Sequence, residues 1–92
     1  MEKLVKKIGL DLQGQKTDDN TYVIDLANST ELNNVFSKLD KCDFLEENED
    51  SSVMNLEVSN ILYITDGYTV NLIADYSQDS YKLVITELKE TK

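Results

Sequence analysis

Seven carboxylates, Asp40, Asp43, Glu46, Glu47, Glu49, Asp50 and Glu57, stand between positions 40 and 57, with Lys41 as the only cation among them. This segment holds a net −6 of the chain's −9. Carboxylates gathered in this way can serve acid/base catalysis, cation coordination, or recognition of a positively charged surface. Catalysis by a carboxylate pair needs a cleft that fixes their separation, and a 92-residue fold with one core rarely encloses one. Coordination of calcium needs a loop with a central glycine and a downstream glutamate. Neither the stretch from Asp43 to Asp50 nor Asp18-Asp19-Asn20 has that spacing, so neither metal nor cofactor is expected. Recognition of a basic partner is the use that remains.

The absences point the same way. The chain has no His, Arg, Pro or Trp, and one Cys. Without His there is no Ser-His-Asp or Cys-His nucleophile activation, and without Arg there is no bidentate fork for a phosphoryl group. An enzyme is not expected, and no residue is assigned a catalytic role. Cys42 reads as a small, partly buried apolar residue. The net charge disfavours direct binding to nucleic acid, and the cluster Lys3, Lys6, Lys7 reads as a solvated end. The first residues lack the apolar core of a secretory signal. The longest apolar run, Ile61 to Ile64, is far short of the ~20 residues that span a bilayer. A cytoplasmic protein with no membrane contact is the expectation.

The elements that must position these carboxylates follow from periodicity. Residues 1–92 form one domain. Thr21 to Leu26 alternates as a strand with Tyr22, Ile24 and Leu26 on one side. Asn28 then stands three residues before Glu31, a capping-box variant, and Leu32, Val35, Phe36 and Leu39 form one apolar helical stripe. From position 54 the even residues Met54, Leu56, Val58, Leu62 and Ile64 predict a strand. Asp66-Gly67 marks a hairpin, and Tyr68 to Tyr76 alternates again. A three-residue loop, Thr65 to Gly67, unites the even apolar sets by pairing Ile64 with Tyr68, Leu62 with Val70 and Val58 with Ala74. A polar turn at Ser77 to Ser80 leads to a last strand with Tyr81, Leu83 and Ile85 opposite Tyr76, Ala74 and Leu72. At the amino end Ile8, Leu10 and Leu12 alternate as a strand over about residues 7–13, although Leu4, Val5 and Ile8 also fit a helical turn. The expectation is α+β: an open antiparallel sheet with a carboxyl-terminal three-stranded meander and one main helix, in the order β-β-α-β-β-β.

If the helix continues past Leu39, then Asp40, Asp43, Glu47 and Asp50 fall on one face, about one carboxylate per turn of ~5.4 Å. A chain under a hundred residues, acidic and rich in Asn and Tyr, with DKCDFLEENEDSS beside a β-meander, resembles the small phage-encoded DNA-mimic inhibitors. That group includes some anti-CRISPR proteins and uracil-DNA glycosylase inhibitors. The resemblance covers size, charge and the acidic stretch. It implies a non-catalytic inhibitor that binds a basic, nucleic-acid-binding enzyme of a bacterial host and blocks its DNA or RNA site. Asp40, Asp43, Glu46, Glu47, Glu49, Asp50 and Glu57 would be the anionic contacts, with Tyr63 or Tyr68 as aromatic anchors. The rival readings are an acidic immunity protein or antitoxin masking a toxin, and a homodimerising module that pairs through Ile61, Tyr63, Ile73 and Val84 or through a sheet edge.

Overall fold

The computed structural model describes residues 2–10, 15–18, 20–55 and 57–88. Its elements in chain order are α1 (Glu2–Ile8), β1 (Gln15–Asp18), β2 (Thr21–Leu26), α2 (Ser29–Asp40), β3 (Glu46–Glu47), a 3-10 turn (Glu49–Ser51), β4 (Val53–Met54), β5 (Val58–Thr65), β6 (Tyr68–Asp75) and β7 (Ser80–Glu87). All strand pairs are antiparallel, in the order β1-β2-β7-β6-β5-β3, with β4 also on the free side of β5. The α+β class, the main helix and the meander are as the sequence predicts.

The main helix starts where its cap residues demand. The Glu31 N–H donates to Asn28 Oδ1 at 3.0 Å, and the Ala27 N–H donates to Glu31 Oε2 at 2.6 Å. Two amide donors at the helix entry are thereby satisfied. Leu32, Val35 and Leu39 are buried against the sheet, whereas Phe36, the fourth residue of the predicted stripe, is 38 % exposed.

Several expectations are corrected. The amino-terminal segment is a helix, not a strand over residues 7–13. Gly9 at φ +92° ends it, donating to the Val5 and Lys6 carbonyls, while Leu10 N–H returns to the Val5 carbonyl. Leu4, Val5, Ile8 and Leu10 are buried; Leu12 lies outside the described residues. The expected loop before Thr21 instead contains β1, paired with β2.

The first hairpin closes in two residues, since Thr65 pairs with Tyr68, Tyr63 with Val70 and Ile61 with Leu72. Apolar residues of both parities fill Ile61 to Ile64, so alternation there cannot choose a face, and the odd residues turn inward. Ile61 and Tyr63 are buried with Val70, Leu72 and Ala74, while Leu62, Ile73 and Val84 are half-buried and Ile64 is exposed on the opposite face. The proposed patch of Ile61, Tyr63, Ile73 and Val84 is therefore split between two faces. In the second hairpin Tyr81 pairs with Ala74 and Leu83 with Leu72, because the turn spans Tyr76 to Asp79 and Asp79 takes a positive φ of 50°.

One face of the sheet thus carries the core. Ile24, Val70, Leu83 and Ile85 are fully enclosed beneath the two helices. The register makes a direct prediction. Ile61→Ala should cost about 2–5 kcal/mol in urea denaturation, and Ile64→Ala less than about 1 kcal/mol. The reverse order would put the even residues inside.

Candidate functional site

The acidic segment is neither a helical face nor a free loop. Helix α2 stops at Asp40, capped by Lys41, whose N–H donates to the Leu39 and Ser37 carbonyls. Asp40, Asp43, Glu47 and Asp50 therefore do not share the helical face that a longer helix would have given them. Leu45 is buried and anchors the chain, and the segment is then laid along β5 as a broken edge strand. Glu46 pairs with Ile64, Glu47 with Tyr63, Val53 with Asn60 and Met54 with Ser59. Between the two pairings the chain lifts away in the 3-10 turn that carries Glu49 and Asp50.

Ser52 closes this gap. Its hydroxyl donates to the Asn48 carbonyl at 2.7 Å and accepts from the Leu62 N–H at 3.1 Å. The Asn48 N–H donates to the Leu62 carbonyl at 2.8 Å. Both polar groups of Leu62 on this side of β5 are met although no regular strand runs there, as buried backbone groups require. Asn55 Oδ1 then accepts from the N–H groups of Glu57 and Val58, at 2.9 and 2.8 Å, and turns the chain back into β5.

Successive strand residues point to opposite faces, so Glu46 lies on the outer face and Glu47 on the helix-covered face. Glu46, Glu47, Asn48, Glu49, Asp50 and Ile64 line a shallow groove of about 430 Å³. All four of its carboxylate residues are exposed. Asp40 and Asp43 are exposed at the end of α2 and in the turn after it. Among the described residues, no Lys nitrogen lies within ion-pair distance of any of these six carboxylates. Glu57 is placed elsewhere: its carbonyl accepts from the Tyr76 N–H at 2.8 Å, at the far end of β5.

The two tyrosines differ from each other. Tyr63 is 3 % exposed, a core residue beneath the strip, and its hydroxyl has no hydrogen-bond partner among the described residues. Burial first, and then the charges of Glu47 and Asp40, push its pKa up to about 12. Tyr68 is half-buried beside Phe44, Lys7 and Asp66. The Lys7 ammonium sits 4.4 Å from the Phe44 ring centre, and Lys38 Nζ donates to the Gly9 carbonyl at 2.7 Å, tying α1 to the turn before β3 and to α2.

The Cys42 thiol donates to the Lys38 carbonyl at 3.1 Å, and burial and then Asp43 raise its pKa. This is the environment of a packed thiol and not of an activated one. Among the described residues, no group of three or more Cys, Asp or Glu is placed to hold a metal ion, and no helix is long and apolar enough to cross a membrane. No family model, curated protein or solved structure matches the chain.

Two outcomes follow from this arrangement. Ser52→Ala leaves the Leu62 amide without its acceptor, so it should lower stability by about 1–3 kcal/mol and speed hydrogen exchange at Leu62 ahead of β6 and β7. Tyr63→Phe removes an unpaired buried hydroxyl and should leave stability at pH 7 unchanged or higher. The wild-type tyrosine has a raised folded-state pKa, so its contribution is complete below pH ~10 and is lost as pH rises toward 12. Urea titrations across that window should show a smaller loss in the phenylalanine variant, and an equal loss would place the titration elsewhere.

Proposed function

We propose that this protein is a non-catalytic binding protein whose acidic edge occupies the cationic site of a nucleic-acid-binding enzyme and blocks its DNA or RNA. The observation that carries the reading is the gathering of the exposed Glu46, Glu47, Glu49 and Asp50 around one open groove. Like charges held together on a folded edge repel one another, and a basic partner relieves that repulsion. An extended anionic edge suits a Lys/Arg-rich channel shaped for a phosphate backbone, where both ligands would exchange the same counterions.

The surrounding structure makes the edge firm. The segment is pinned to β5 at both ends and through Ser52, so little ordering entropy remains to be lost on binding. Ile64 adds an exposed apolar surface inside the groove. The same physics would serve an antitoxin against a basic toxin, and the identity of the captured protein separates the two.

The test is affinity capture from nuclease-treated bacterial lysate with the wild-type protein and with the variant Glu46→Lys, Glu47→Lys, Glu49→Lys, Asp50→Lys. The wild type should recover a basic nucleic-acid enzyme that elutes with salt. The variant should associate with that enzyme about 10 to 10³ times more slowly at low salt. Equal capture by both proteins would contradict the reading.

A further inference from the structure

Both helices contribute to the single core on the inner face of the sheet, and every described strand belongs to that sheet. Among the described residues, no element is therefore layered on the outer face. An antiparallel sheet face left to water normally turns polar and charged side chains outward. Here the strand register places a different set there. One row across the sheet runs Leu62, Asn71, Val84 and Val23, from β5 to β2. Val53, Asn60 and Ile73 lie on one side of that row. Ile64, Thr69 and Thr86 lie on the other. None of these ten residues is charged, in a chain with 29 % charged residues, and six of them are apolar. Val53 is 51 % exposed and Ile64 37 %, and the other eight are half-buried. Charge begins only at the margin, with Lys82 beside Asp25 at one corner and Glu46 at the opposite one.

A polar pair stands inside this apolar surround. Asn71 Nδ2 donates to Asn60 Oδ1 at 3.1 Å, across β5 and β6. The two side chains hold four amide N–H groups and two carbonyl oxygens between them, and their mutual bond engages one of each kind. Such a pair is complementary to a second copy of itself: about a two-fold axis, donors of each copy meet acceptors of the other. The extent of the face agrees with that occupant. Five strands about 4.8 Å apart and three rows about 6.7 Å apart cover about 500 Å² per copy, or about 1,000 Å² for two, the lower bound for a specific interface.

We propose that the outer face is a homodimer interface, in which two copies stack sheet on sheet about a two-fold axis near the Asn60–Asn71 pair. A charged partner finds no counterpart within this face. A second copy carries the same −9, so it can approach closely only where charge is absent. Leu62, Ile73 and Val84 then form the dry part of the contact around the asparagines. The interface does not rest on the acidic-edge reading, because the four groove carboxylates lie along the β3 edge and not among these rows.

The experiment follows the full chain from micromolar to millimolar concentration by sedimentation velocity and, on ¹⁵N-labelled protein, by amide shifts. The expected result is a reversible monomer–dimer equilibrium with a Kd of about 10 µM to 1 mM, and concentration-dependent shifts at Val23, Leu62, Asn71, Ile73 and Val84. Added salt should tighten the dimer several-fold by screening the repulsion between copies, the opposite of its effect on a complex with a basic partner. Val84→Glu and Val84→Lys should each weaken self-association about tenfold or more, and mixing the two should restore it, since opposite charges then meet across the axis. The wild-type dilution series decides the matter even where a variant fails to fold. The variant with four lysines on the acidic edge should still dimerise, so loss of partner capture and loss of self-association are separate results. A monomer at every concentration, shifts confined to β1 or to the β3 edge, or a dimer that salt dissociates would overturn the proposal.

Discussion

Strand β5 is hydrogen-bonded on both sides, and that is the constraint on which the rest of the molecule depends. On one side it has a full-length partner in β6; on the other it has only the fragments β3 and β4 and a serine hydroxyl. An open edge would template pairing with other chains, and charges or irregularities at the edge prevent this. Here one segment does both. It supplies the missing backbone partners to β5 and carries the carboxylates outward in a turn that no further strand can extend. Placement of the acidic groove, burial of Tyr63 and position of Ser59 all follow from which face of β5 turns inward.

That choice of face was the least legible feature of the sequence. The residues of the core were largely readable, because Ile24, Leu26, Leu32, Val35, Leu39, Leu72, Leu83 and Ile85 stand in unambiguous periods. Helix α2 was readable to its cap, since Asn28 and Glu31 have only one local use at that spacing. Ile61 to Ile64 was not, because four consecutive large residues satisfy either face and the outcome rests on turn geometry. The amino-terminal helix was missed for a similar reason, and Gly9 at positive φ was the signal that separated helix from strand. In the site, the carboxylates were visible by count. Their attachment to a sheet edge was not, because it depends on Ser52, a residue that carries no periodicity.

The fold separates the core from the charge. The helices cover one face of the sheet, the other is a half-buried mixture of apolar and polar residues, and four exposed carboxylates gather at the β3 edge. Near Tyr63 the two systems meet: the ring is core, and its hydroxyl lies in the field of Glu47 and Asp40. The mutual repulsion of those carboxylates is modest in water and screened by salt. In the dry contact of a protein complex it would be larger, and there a cationic surface turns it into attraction.

Competition between this protein and nucleic acid for one enzyme site tests that account most directly. A fluorescent oligonucleotide bound to the captured enzyme would be titrated with the protein while its anisotropy is followed at two salt concentrations. Complete displacement of the oligonucleotide, with a midpoint that rises in proportion to the oligonucleotide concentration and weakens as salt increases, is the predicted result. Formation of a ternary complex in which the oligonucleotide stays bound would contradict it.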